Sequence, residues 1–303
     1  MALTLIEYAK TETDQLKKGV IETFASTNPI LEQLPFKDIE GNAYKYNQES
    51  ALPGIAFRGV NEAYDEGTGV LLPKTESLKI MGGDADTDKF LIKTERSLED
   101  RRASDIAMKV KAASLYFTKI FFDGDEGSTP KEPDGLNQRL TGNQVITAGA
   151  NGAAISHALL QQCIDAVDGT PDALLMGKKF RRQLFNLAES STILSEAKDA
   201  FGRTIKTYAD IPIRIIEKDN SDNVILAFDE TQGNSDVTAS CYAVKYGVDE
   251  YICGIQSDPL DAYDLGEIDT KPVLRARIEW YMGIAMFHPR CAARLKGVTA
   301  SVS

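Results

Sequence analysis

The sequence predicts an α+β protein, and three observations carry that prediction. Apolar residues recur at helical spacing over 97–122, and they alternate as in a strand over 274–286. Between an N-terminal arm and the helix lies a Gly-rich excursion, 41–83, too long to be an internal loop of a compact domain. With 303 residues, 43% hydrophobic and 26% charged, the chain can bury a real core in one large or two modest domains.

In chain order, residues 1–40 read as an arm with helical content. Thr11 and Asp14 form a weak capping signature, and Leu16, Val20 and Phe24 then recur every four residues. Asn28-Pro29 ends that pattern, and Leu31, Leu34 and Phe36 follow as a short apolar anchor. Tyr44 and Tyr46 alternate with Lys45 and Asn47, a half-exposed strand, and Ser77-Leu78-Lys79-Ile80 reads as its return. Pro53, Gly54, Gly59, Gly67, Gly69 and Pro73 lie between them, so the pair makes an extended hairpin suited to lying on a neighbouring subunit.

The helix over 97–122 opens on an S-x-x-D cap from Ser97 and Asp100, and Glu99 and Asp100 suit the positive end of its dipole. Ile106, Val110, Ala113, Phe117 and Phe121 fall on one face, and Asp123-Gly124-Asp125-Glu126-Gly127 stops it. A mixed stretch follows, with helices over Ile155–Val167 and around Phe180, Leu184 and Leu187. Strands are expected at Ile213–Ile216, Val224–Phe228, Tyr242–Tyr246 and Tyr251–Ile255. Leu274, Ala276, Ile278, Trp280, Met282, Ile284 and Met286 then alternate with Arg275, Arg277, Glu279, Tyr281, Gly283 and Ala285. Period two over more than a dozen residues gives one long strand with one buried face; a helix would scatter the charges around its circumference.

Charge and cysteine usage narrow the function. The net charge of −11 is the reverse of what a groove-binding nucleic-acid protein carries; it favours solubility and repels phosphate, and any acidic protein would share it. Cys163, Cys241, Cys253 and Cys291 are scattered, with no zinc spacing and only His157 and His288 to help; they read as small buried hydrophobes. No apolar run approaches the roughly 20 residues of a membrane span, and Glu7 interrupts an opening that lacks a basic segment, so no secretory signal is read.

Four segments are sharper than the element order. They are Asn28-Pro29-Ile30-Leu31-Glu32-Gln33-Leu34-Pro35-Phe36; Leu52-Pro53-Gly54 to Arg58-Gly59-Val60-Asn61; Phe121-Phe122-Asp123-Gly124-Asp125 with Pro133-Asp134-Gly135-Leu136; and Trp280-Tyr281-Met282-Gly283 with His288-Pro289-Arg290-Cys291-Ala292-Ala293. In this order they resemble the major capsid proteins of tailed bacteriophages, which share the Hong Kong 97 fold. The resemblance implies an N-terminal arm (1–40), an extended loop (41–83), a peripheral domain (84–135 and 266–303) with spine helix 97–122, and an axial domain (136–265). It implies a protein that is no enzyme and that self-assembles into hexamers and pentamers of an icosahedral phage head around double-stranded DNA. The partners it implies are the chain itself, a separate scaffolding protein, a portal and a decoration protein, with no membrane. The location implied is the virion, after synthesis in the host cytoplasm. Some relatives cross-link a loop lysine to a neighbour's asparagine; Lys74 and Lys79 lie in the right region, but no asparagine partner or activating acid is identifiable. The alternatives are an encapsulin-like compartment of the same fold and, from another class, a soluble α/β hydrolase.

No catalytic or cofactor-binding residues are predicted. Asp84, Asp86 and Asp88, with Glu95 at the twelfth position, match a calcium-loop count, but Lys89 stands where the sharp turn needs glycine; a polar hairpin turn is the preferred reading. Gly67-Thr68-Gly69 lacks the third glycine of a dinucleotide fingerprint, and no G-x-S-x-G elbow exists. The basic clusters Arg101-Arg102 and Lys178-Lys179 with Arg181-Arg182 are candidate partners for Glu62, Asp65 and Glu66 on a neighbour's loop. Arg58 and Lys74 complete the expected inter-subunit contacts.

Overall fold

The computed structural model of the chain describes residues 3–5, 24, 28–51, 53–64, 66–94, 98–188, 194–198 and 204–300. At its start β1 (Leu3–Thr4) lies antiparallel to β2 (Pro35–Asp38), and α1 (Pro29–Gln33) precedes β2. Asn28-Pro29, expected to close a helix, opens this one: Asn28 Oδ1 accepts from Ile30 N at 2.9 Å, and Pro29 fills a first-turn position that needs no N–H. The capping signature at Thr11 and Asp14, with Leu16 and Val20, lies outside the described residues. Phe24 is helical and buried, its ring edge-on to Trp280 at 5.1 Å between centroids.

β3 (Ala43–Ala51) and β4 (Val70–Ser77) form a two-stranded antiparallel ladder running from Ala43–Ser77 to Ala51–Val70. The return strand therefore begins earlier than Ser77. At Leu78, whose N–H donates to Asn42 O, the chain leaves the ladder and continues as β5 (Lys79–Asp88) in the body. Asp84–Asp88, expected as a turn, is strand, because it pairs residue for residue with the late strand over Val273–Arg277.

α2 (Lys89–Thr94) leads towards α3 (Leu98–Asp123), the helix expected over 97–122. Ser97 lies outside the described residues, as do the side chains of Glu99 and Asp100, so the expected cap is not among them. The helix stops where predicted. A Cβ on Gly124 would sit 2.2 Å from Pro133 O and 2.7 Å from Ile120 O, so only glycine permits the fold-back there.

The remaining elements are α4 (Leu136–Arg139), β6 (Val145–Thr147), α5 (His157–Asp165), β7 (Ala173–Gly177), α6 (Lys178–Ala188), β8 (Leu194–Lys198), β9 (Thr204–Tyr208), β10 (Ile211–Ile216), β11 (Glu230–Gln232), β12 (Ser235–Val244), β13 (Ile252–Gln256), β14 (Asp261–Glu267), β15 (Val273–Met286) and β16 (Ala292–Thr299). Val224–Phe228, expected as a strand, makes a single bridge from Val224 to Lys218. Ile225 N donates back to Glu217 O, closing a loop rather than extending a ladder.

Two large sheets organise the chain. The first has the order β1-β2-β13-β15-β14, with β5 also on β15; the second runs β6-β16-β12-β7-β10-β9-β8, with β11 on β12. From Ala276 to Met286 the even residues of β15 are buried as predicted, Ile278, Trp280 and Met282 with Phe117 and Phe121 of α3; Leu274 is only half-buried, and Gly283 and Ala285 on the opposite face are buried too. The far side of α3 meets the second sheet, where Phe122 and Tyr242 stand 5.0 Å apart. α5 and α6 cover the other face of that sheet through Leu160, Cys163, Phe180 and Leu184. β13 and β14 pair in the first sheet and β16 in the second, because the chain crosses over at His288–Cys291, where Pro289 cannot donate to a ladder.

Candidate assembly surfaces

Between β3 and β4 the described residues 53–64 and 66–69 hold no helix or strand, yet they carry large apolar groups. Ile55 is 96% exposed, Val60 92% and Phe57 fully so, with Tyr64 beside them. At about 25 cal/mol per Å² of apolar surface, holding such a group of side chains in water is costly. Arg58 lies over the Tyr64 ring, 4.7 Å from its centroid, and donates to Glu62 O at 3.2 Å. Glu62 Oε2 accepts from Gly59 N at 2.6 Å. Arg58 and Glu62 are thus brought together and shape the tip, while Glu66 and Lys74 are exposed. Asp65 lies outside the described residues.

The outward face of the first sheet is charged and internally paired. Arg277 donates to both carboxylate oxygens of Asp84 at 2.7 and 3.0 Å, and Arg275 to both of Asp86 at 2.6 and 2.7 Å. These guanidinium forks hold both carboxyls below the usual carboxylate range. Asp84 and Asp86 of the calcium count are therefore engaged by arginines along an extended strand, Asp88 binds the N–H of Phe90, and Glu95 lies outside the described residues.

The expected basic contacts are mostly engaged within the subunit. Arg102 pairs with Asp264, Lys178 with Glu217 at 2.6 Å, and Arg181 lies 5.5 Å over the Phe185 ring. Of Arg101 only the backbone is described. A feature that sequence reasoning missed is a groove of about 510 Å³ between β5 and α3, lined by Gly82, Gly83, Lys109, Ala113, Phe117 and Lys131. Its signal was the Gly82-Gly83 pair inside a strand, which marks close approach by another group. A Cβ on Gly83 would lie 2.6 Å from Lys109 Cε.

The cysteines are buried, and burial pushes the thiols of Cys163, Cys253 and Cys291 up to about 12, which leaves them unreactive.

Residues 12–163, which hold the hairpin, α3 and the passage beyond it, match the family model described as major capsid protein GP7. The chain belongs to that family. This GP7-family protein is a capsid shell protein, a subunit that assembles with copies of itself and belongs in the virion. Solved structures show the same Hong Kong 97-type α+β fold. An encapsulin complex from Synechococcus elongatus PCC 7942 is similar with a TM-score of 0.68 at 12% identity, over 91% of this chain and 90% of that one. The capsid of a native GTA particle gives 0.62 at 14% identity over 91% of each chain. Mycobacterium phage Bobi gives 0.61 at 12% identity, covering 88% of this chain and 89% of that one. At such identities the likeness is one of fold. No curated protein matches the sequence.

Proposed function

We propose that the chain forms hexamers and pentamers of an icosahedral phage head that encloses double-stranded DNA, without catalysis of its own. The observation that carries this is the exposed apolar hairpin tip on a chain of the capsid family. β4 alone, at eight residues, extends roughly 27 Å, so the ladder carries the tip well away from the groove beside its own base. The tip therefore rests on another copy, a head-to-tail contact of the kind that closes rings. The groove between β5 and α3 of that neighbour suits it in character: Lys109 and Lys131 carry the charge complementary to Glu62 and Glu66, and Phe117 and Ala113 supply an apolar wall.

In this reading 84–135 and 266–303 form the peripheral domain around α3, and 136–265 forms the axial domain. A separate scaffolding protein, a portal and a decoration protein are its partners, and the subunit is made in the host cytoplasm. Shortening the chain between Pro53 and Pro73 to a tight turn should leave a folded subunit that builds no shells in electron micrographs. Intact shells from that deletion would sink the proposal. The overlay on an encapsulin favours a second reading, a compartment that encloses protein. Nuclease-protected DNA inside purified particles separates the two.

A further inference from the structure

The hairpin is attached to the body through both of its strands. On β3, Tyr46 packs its ring 4.6 Å from that of Phe287, and its hydroxyl accepts from Met286 N at 3.3 Å. Gln48, two residues on and on the same face, donates to Met286 O at 3.3 Å. Gly283 lets this base sit close to the sheet, since a Cβ there would lie 3.2 Å from Ser77 O. Tyr44, on the same face, accepts from Lys37 Nζ at 2.7 Å, so these contacts hold one strand, β3, to β2 and to the end of β15.

The second attachment is on β4. Glu76 receives both Nη atoms of Arg139, at 2.6 and 2.8 Å, and the two side chains are only 16% and 11% exposed. Arg139 is the last residue of α4 and is itself oriented, because its Nε donates to Asp134 O at 2.8 Å. Glu76 also accepts from the Tyr46 hydroxyl at 3.3 Å, which joins the two attachments into one network. A bidentate guanidinium–carboxylate pair fixes direction as well as distance.

We infer that Arg139 is a positioning residue for assembly: through Glu76 it sets the angle at which the hairpin leaves the body. The eight residues of β4 reach roughly 27 Å, so a rotation of about 10° at the base displaces the far end by about 5 Å, the distance between neighbouring strands. A displacement of that size takes the tip off its place on a neighbour; this last step rests on the proposed hairpin contact, whereas the angle itself does not.

The test measures the angle directly. The native cysteines are all buried, so spin labels can be directed to Val70→Cys at the end of the ladder and Asp165→Cys on α5. Distances are read by pulsed electron resonance on the full chain in dilute, unassembled solution. The unaltered pair should give one narrow distance. Arg139→Lys, which keeps the charge but loses the fork, and the neutral double variant Glu76→Gln/Arg139→Gln should each shift or broaden it by about 5 Å or more. Near-UV circular dichroism should stay unchanged, so that an altered distance is not mistaken for unfolding. An unchanged narrow distance in Arg139→Lys overturns the assignment. Shells of normal diameter from a variant whose distance has broadened would instead overturn the hairpin contact while leaving the pivot intact.

Discussion

At Gly254 the absence of one methyl group decides how closely β2 can approach β13. A Cβ there would fall 2.2 Å from the Phe36 ring, and Phe36 in turn lies 5.2 Å from Trp280. Trp280 was legible as a core residue because its alternation with charged neighbours runs over the whole of β15. Asp84 and Asp86 were not legible as pairing residues. Their arginines lie 193 and 189 positions away, and a local cluster of acids carries no record of such partners. That pairing has a pH consequence. Both carboxyls are held below their ordinary value of 3.8 by the facing guanidiniums. A group whose folded value lies below its unfolded one stabilises the fold above the ordinary range, and that contribution is lost as pH falls through the folded value. Replacing both by asparagine should lower the melting temperature at neutral pH. The gap to the unaltered chain should close as pH falls below the ordinary carboxylate range and through the lowered folded values, where the native carboxyls are protonated too. A gap of constant size across the acid range would show that the ion pairs contribute nothing through their charge.

Among elements, α3 and β15 could be read from sequence because each keeps one period over many residues. β5, β7, β8, β9, β14 and β16 escaped, since a strand's form is set by the neighbours it pairs with as much as by its own pattern. β5 also hides behind Gly82-Gly83, the feature that clears the groove against α3. The groove itself joins residues 79–83, 109–120 and 129–133, a juxtaposition no local window contains. If a neighbour's tip fills it, charge reversal should act on assembly alone. Lys109→Glu with Lys131→Glu changes two side chains for which the described residues show no ion pair, so the subunit's melting temperature should move little, within about 0.5 kcal/mol of stability. Shell yield should fall, and Glu66→Lys on the hairpin should recover part of it. Unchanged yield in the lysine variant places the tip elsewhere on the neighbour.

For the molecule as a whole, the balance lies between a net charge of −11 on every copy and the contacts that draw copies together. Subunits of like charge repel across distances comparable with the Debye length, about 10 Å at 0.1 M salt and about 3 Å at 1 M. The exposed apolar groups at the hairpin tip, Ile55, Phe57 and Val60, lose nothing to screening, because their gain comes from leaving water. The carboxylate–lysine pairs proposed for the groove do weaken with salt, but a solvent-exposed pair contributes no more than about 1 kcal/mol to begin with. Screening therefore removes more repulsion than attraction. Raising sodium chloride from about 0.05 to about 0.5 M should accelerate shell formation and lower the subunit concentration at which it starts, followed by light scattering. Slower assembly at high salt would mean that charge pairing, rather than the apolar tip, holds neighbouring subunits together.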